Sequence, residues 1–452
     1  MTMTTTMTPS STAKFRHPSV MMVLVLLLLH PTVAASSANR NHVPTRRDFD
    51  AWLKKHSESY SASRIRMTRS DGSHEHNSDN NDDYCNYYES RFAIFVQNAQ
   101  TVQRHNRAFE KGFTLYKMTL EDSPFADLTG DEFQSLHLME AQNCSATNHV
   151  SSGRVEDYVR KQQRRLVVAE EKDDTKNSVD WRTRGVVTPI KNQKHCGSCW
   201  TFSTTGTLEA HYCLELQRRR QRRTGSTSIH CPSWTGLSEQ QLLDCAGDYD
   251  NHGCNGGLPS HAFEYIKYSP TGLALESTYP YLANSTDTVC KFESSDDDKS
   301  NNNNNNSPHH YSTVEVSEVF NITSLDENDL VQAIGAVGPV AIAYQVSSDF
   351  RFYSHGVYDS FNATTNGTNC QDDALSVNHA VVAVGYGQVP PTMEGKRGVP
   401  YYIVRNSWGT SFGMEGYFWM LRGQNLCGVS DCASFPIVPV LTKEESGVAA
   451  SE

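Results

Sequence analysis

The chain has 452 residues, enough for about three domains at the usual size. It carries 40 Lys and Arg against 51 Asp and Glu, a formal net charge of −11 with a pI near 5.9. That balance argues against a nucleic-acid partner, and the sequence shows no internal repeat.

Residues 20–29 read VMMVLVLLLL, follow Lys14, Arg16 and His17, and precede the small residues TVAASSA. Ten helical residues rise about 15 Å, half of the roughly 30 Å of a bilayer core, so 1–35 reads as a cleaved signal peptide without stable membrane insertion. The route is then oxidising, and the twelve cysteines are expected to be mostly paired. Five N-x-S/T acceptors, at Asn143, Asn284, Asn321, Asn362 and Asn366, agree with it.

Residues 36–139 form the next unit, helical and amphipathic in patches between about 47 and 135. Tyr88, Phe92, Phe95, Ala99 and Val102 recur at intervals of three or four, one face of a helix. The polar text of 69–84 cannot bury enough apolar surface to order itself and reads as an inserted loop. Segment 151–177, with RKQQRR and EEKDD, reads as a loop-like linker and a cutting site. From Val179 the composition turns globular, interrupted by LQRRRQRRTGSTS (216–228) and an asparagine-rich stretch (294–310), both read as surface loops. HAVVAVGYG (379–387) and PYYIVRN (400–406) read as buried strands.

Cys196 and Cys199 make a CxxC, which alone could be a redox pair, half a zinc site or two unrelated cysteines. Its neighbours favour a nucleophile. Ser198 is a good N-cap, and the residues that follow can run as a helix, placing Cys199 in a first turn where the helix dipole lowers a thiol pKa from about 8.5. A thiolate needs an imidazole, a group to orient it and donors for an oxyanion, for which His379, Asn406 and Gln193 are the candidates. No metal or cofactor is required.

CGSCW with a downstream His and Asn resembles the signature of the papain-like cysteine peptidases. SVDWR (178–182), GCNGG (253–257), GYGQ and NSWG (406–409) extend the resemblance, in order, over nearly all of 178–438. His379 lies 180 residues after Cys199, beyond the roughly 130 to 150 of the family, and the two insertions account for most of the excess. The resemblance implies an α+β, two-domain fold over 178–452: a helical left domain headed by the Cys199 helix, a right domain built on a β-barrel, and the site in the cleft between. It also implies roles. Cys199 attacks the peptide carbonyl, His379 protonates the leaving amine, Asn406 fixes the imidazole, and Trp408 shields that hydrogen bond. Gln193 and the Cys199 N–H hold the oxyanion, while Gly256 and Gly257 line the cleft for substrate backbone. Arg91, Phe95, Asn98, Val102 and Asn106 resemble the helix motif of the family's inhibitory propeptide, with Tyr87 where a glutamate is usual, and FAD (125–127) resembles the short motif after it.

Within the family the likeness is nearest to cathepsin H and the aleurains, and EAQNCSAT resembles the mini-chain of cathepsin H, with Ala141 in place of a proline. This implies that 140–147 is retained when the propeptide leaves and 148–177 is processed away, so that the new carboxylate of Thr147 meets a substrate's amino end. The pairing implied is Cys196–Cys254, Cys245–Cys290, Cys370–Cys427 and Cys144–Cys432, with Cys213–Cys231 closing the arginine loop as a departure and Cys85 left over. The expected protein is a monomeric zymogen acting on peptides or proteins, mainly as an aminopeptidase. Its propeptide inhibits it, cystatin-like inhibitors are candidate partners, and the destination is a lysosome or vacuole, or the exterior. The alternatives are an endopeptidase like cathepsin L that discards the mini-chain, a secreted disulfide oxidoreductase, and a catalytically silent binding homologue.

Overall fold

A computed structural model describes residues 42–57, 78–144, 152–165, 178–225, 231, 236–285, 289–291, 313–390 and 398–439. The signal-peptide reading of 1–35, Thr147 and the asparagine-rich stretch lie outside these residues.

The proregion is built on two helices. Arg46–Lys55 starts at a capping box, in which Thr45 and Asp48 satisfy one another's backbone N–H groups, and it buries Phe49 and Trp52. Ser78–Glu110 runs for 33 residues, about 50 Å. Its first turns take in 78–84, the end of the stretch expected to be a loop: a helix begun by the apolar stripe beyond Tyr88 propagates backwards at little cost through polar residues. Phe95, Ala99 and Val102 are buried on that stripe. The polar members of the motif face the chain that follows. Arg91 holds Glu132 through two hydrogen bonds of 2.7 and 2.9 Å, Asn98 donates to the carbonyls of Ala126 and Leu128, and Asn106 exchanges two bonds with the backbone of Met118. The Arg91 guanidinium lies over the ring of Tyr87.

The proregion is also clamped to the rest of the chain. Its strand Tyr116–Met118 pairs antiparallel with Tyr353–Tyr358, the Asp359 carboxylate accepts from the Thr114 hydroxyl and the Leu115 N–H, and buried Arg351 donates to Asn98.

That strand is the outermost of a nine-stranded sheet. The pairing path continues from Tyr353–Tyr358 through Tyr417–Leu421, Pro400–Arg405, His379–Gln388, Val340–Tyr344 and Ser434–Ile437 to Glu318–Asn321, with Val179–Asp180 added beside His379–Gln388. Against it packs the helix Cys199–Thr224, buried on all sides over its first 17 residues. Gly206 is required there, because a Cβ would collide with the Arg405 guanidinium.

Two expected loops are helical. The Cys199 helix runs through the arginine cluster to Thr224 and ends on left-handed Gly225 (φ 71°), so of 216–228 only the end is outside it. Arginine and glutamine are good helix formers, and Glu215 pairs with Arg218 and Arg222 along the extension. In the linker, Val155–Arg165 is a helix with Glu156 and Asp157 in its first turn. It buries Val155, and Tyr158 packs against Phe320 and Phe435.

Beneath the cleft lies a charge cluster that water barely reaches. The Lys191 ammonium lies 2.9 Å from Glu209 and 2.6 Å from Glu239, both carboxylates being almost fully buried, and Thr188 and Thr205 donate to them. Removing the cation leaves buried Glu239 without a charge partner and Glu209 with only Arg405 at 4.0 Å, so Lys191→Met is expected to lower stability by about 3 to 5 kcal/mol. Urea unfolding of the zymogen measures this, and a loss below about 1 kcal/mol would show that proton uptake replaces the ammonium.

Candidate active site

Cys199 is the first residue of its helix and His379 the first of its strand, and the packing of helix on strand brings them together. The Cys199 sulfur accepts from the Ala380 N–H at 3.3 Å. Ser198 holds the N-cap position but does not cap: its hydroxyl lies 2.6 Å from that of Tyr281 instead. Asn406 Oδ1 accepts from the Ser407 N–H at 2.8 Å and faces His379 Nε2 at 2.9 Å. An oxygen can only accept, so Nε2 carries the proton and Nδ1 is the basic nitrogen of the neutral ring. That Nδ1 is buried without a hydrogen-bond partner. Trp408 stacks on the imidazole at 4.6 Å, itself covered by Phe125 and Phe133 of the proregion. It is 2% exposed, so in this state it is a cover for His379 and not cleft surface.

Gln193 is fully buried and its amide is fixed at both ends. Oε1 accepts from the Ser407 hydroxyl at 2.7 Å, and Nε2 donates to the carbonyls of Cys196 and His137. His137 belongs to the proregion. The chain that follows fills the cleft: the Met139 N–H donates to Asn378 O, Glu140 to Asn255 O, Gln142 to Val377 O and Cys144 to Ala374 O. Gly197 and Gly256 make room for it. A Cβ on Gly197 would meet Leu138 O, and one on Gly256 (φ 134°) would meet the Gln142 amide at 2.5 Å. Gly257 does not line this passage. Its Cβ position points inward at Asn251 and Trp200, so it serves packing under the cleft floor.

Burial by this segment sets the charge state. Desolvation pushes the Cys199 thiol up to about 12, against the pull of the Ala380, Trp200 and Met139 N–H groups, and brings His379 down to about 4. The lowered thiol pKa expected from the helix N-terminus is therefore not the state here, because the desolvation outweighs the dipole. The closed site holds a neutral thiol and a neutral imidazole. His137 is held at about 3 by burial and by the neighbouring His195, whose ring centroid lies 5.2 Å away.

The disulfides join Cys144 to Cys432, Cys196 to Cys254, Cys213 to Cys231, Cys245 to Cys290 and Cys370 to Cys427, leaving Cys85 and Cys199 as thiols. Of the five glycan acceptors, Asn143, Asn284 and Asn366 are exposed and Asn362 half-buried. Asn321 is not presented: it is buried in its strand, where its N–H donates to Ser152 of the linker, so a glycan would have to displace that segment. His137, Ser407 and Tyr281 were absent from the candidates. Ser407 lies inside the NSWG stretch and Tyr281 ends the aromatic stretch STYPY (277–281), while nothing in the text around His137 marks it.

A thiol at about 12 is almost wholly un-ionised near neutrality. Iodoacetamide is thus expected to alkylate Cys199 at pH 6 at least about 100-fold more slowly in the zymogen than in the processed protein. Equal rates in the two forms would contradict the proregion's control of the thiol.

The profile described as papain family cysteine protease matches residues 175–437, and that of the cathepsin propeptide inhibitor domain (I29) matches 49–133. The thiol protease aleurain-like of Arabidopsis thaliana is 41% identical over 348 residues, 77% of this chain and 78% of its own. Pro-cathepsin H of Bos taurus is 36% identical over 407 residues, 90% and 92% of the two chains. Among solved structures, digestive procathepsin L 3 of Tenebrio molitor is similar with a TM-score of 0.57 at 29% identity, covering 86% of this chain and 98% of that one. Recombinant stem bromelain precursor gives 0.58 at 26% identity, with the same coverage. The chain belongs to the papain family of cysteine proteases, as a zymogen with the family's inhibitory propeptide ahead of its peptidase part.

Proposed function

We propose that the processed enzyme is mainly an aminopeptidase, made through the secretory pathway and working in a lysosome, a vacuole or the exterior. Once the proregion leaves, water returns to the cleft and a proton moves from the Cys199 thiol to His379 Nδ1. The thiolate attacks the peptide carbonyl, and the oxyanion takes the Gln193 amide that His137 O had occupied, together with the Cys199 N–H. The imidazolium gives its proton to the leaving amine as the C–N bond breaks, and water hydrolyses the thioester. Asn406 keeps Nε2 protonated throughout, so the reactive nitrogen stays Nδ1.

The observation that carries the aminopeptidase reading is the tether at Cys144–Cys432. It fastens 140–144 beside Gly256, within reach of the catalytic pair, and would keep this segment there after the chain is cut on either side. A carboxylate generated at Thr147 would attract a substrate ammonium with about 1 to 4 kcal/mol, and the segment itself would block longer chains. The processed enzyme is expected to cleave a free-amine substrate at least about tenfold better than its acetylated twin, and Cys144→Ser to erase that preference while raising internal cleavage. Equal cleavage of both by the native enzyme would mark an endopeptidase like cathepsin L instead.

Acid is the proposed trigger for release. His137 is held at about 3 when docked and returns to its ordinary 6.5 when undocked. Between these values the undocked form binds the extra proton, so docking weakens as pH falls through that window. The Arg91–Glu132 pair lies wholly within the proregion, so docking does not make or break it, and with Arg91 holding Glu132 at about 2 it would weaken the proregion's own fold only as pH falls from about 4.5 toward 2. His137→Gln is expected to move half-maximal self-processing down by about one pH unit, and an unchanged profile would place the trigger elsewhere.

A further inference from the structure

The hydroxyl of Tyr281 has no part in the mechanism above, yet it joins the two segments that carry the oxyanion donors. It lies 2.7 Å from the backbone carbonyl of Gln193 and 2.6 Å from the hydroxyl of Ser198. A carbonyl only accepts, so Tyr281 spends its single proton on Gln193 O and Ser198 donates to the Tyr281 oxygen. The order of donation is Ser198 to Tyr281 to Gln193, and each bond polarises the next. This also accounts for the unused cap at the nucleophile's helix.

The peptide at the end of that chain needs holding. Lys194, directly after Gln193, is a non-glycine residue in the left-handed region (φ 55°), a conformation that costs about 1 to 2 kcal/mol and persists only where its surroundings enforce it. Rotation of the Gln193–Lys194 peptide would relieve it and swing the carbonyl away. The carbonyl of this peptide is pinned by Tyr281 and its N–H, that of Lys194, by Asn192 Oδ1 at 2.9 Å, while the Gln193 N–H just before it is pinned to Ser407 O. Tyr281 is itself fixed, its ring edge-on to Phe202 at 4.9 Å and its N–H bonded to Glu276.

We propose that Tyr281 is a positioning residue for the oxyanion site, setting the Gln193–Lys194 peptide against the nucleophile's N-cap so that the Gln193 amide is aimed before substrate arrives. This rests on the reading of Gln193 as an oxyanion donor. In the processed enzyme Tyr281→Phe keeps the ring contact and loses both hydrogen bonds. It is expected to lower kcat on a peptide substrate about tenfold with KM changed less than about twofold. Alkylation of Cys199 by iodoacetamide, which forms no oxyanion, should stay within about twofold between roughly pH 5 and 8. A peptide aldehyde, whose adduct does carry an oxyanion, should bind about tenfold more weakly. In a Gln193→Ala background the same substitution should cost less than about twofold. Ser198→Ala cuts the chain at its other end, should lower kcat about threefold with the same pattern, and carries the test if the tyrosine variant does not fold. An unchanged kcat, a parallel fall in alkylation, or the full loss persisting without Gln193 each overturns this assignment alone. A native enzyme that iodoacetamide cannot label at Cys199 overturns the peptidase reading and this assignment together.

Discussion

Exclusion of water from Cys199 and His379 is the condition on which this zymogen depends. Ionised, the pair would be a nucleophile facing its own chain. Buried under His137, Leu138 and Met139, both partners keep their neutral forms, because a charge in that space has lost its hydration and gained too few hydrogen bonds in return. The same residues take the Gln193 amide through the His137 carbonyl. The closed site thus lacks two things at once: a thiolate and an open Gln193 amide.

A short segment could not hold that position alone. Its contacts in the cleft are a handful of backbone hydrogen bonds, each worth about 1 kcal/mol net. The lasting grip lies further out, where the strand Tyr116–Met118 extends the sheet, Asp359 takes Thr114 and Leu115, and Arg351 reaches into the proregion core. With the proregion anchored there, the cleft segment has a high effective concentration at the site. Inhibition can then be strong although the contacts over the catalytic pair are few, and it is lost when the outer grip fails and the chain is cut ahead of the Cys144–Cys432 tether.

The parts of the fold that were legible in the sequence are those whose local pattern and tertiary use agree. The Tyr88 to Val102 stripe becomes the inward helix face, half-buried at Tyr88 and Phe92 and buried from Phe95 on, HAVVAVGYG becomes a buried strand, and CGSCW starts a helix at Cys199. What stayed hidden was decided by neighbours far along the chain. The arginine run is helical because Glu215 and the buried turns before it extend the helix, although its composition alone reads as a solvated loop. The linker helix exists because Val155 and Tyr158 find the helix Glu327–Ala336 and the Phe320–Phe435 pair. Ser198 has the right identity for a cap, yet Tyr281, 83 residues on, takes its hydroxyl. The N–H groups at the start of the helix pull the Cys199 thiol down, but burial outweighs them, and burial is a property of the folded whole.

One stretch of chain carries two opposed tasks, and their boundary falls at Met139 and Glu140. Before it, His137 to Met139 cover the catalytic pair and have no covalent tie of their own to the peptidase part. After it, 140–144 continues along the same cleft but is joined to Cys432. Hydrogen bonds of similar number serve both halves, so they do not decide which half stays. The disulfide does, since after a cut it keeps one half at the site while the other is free to diffuse. The cut that activates such an enzyme therefore has to fall between the blocking residues and Cys144. In the proposed aminopeptidase, activation and specificity would then depend on where the bonds cleaved on either side fall relative to this single covalent tether.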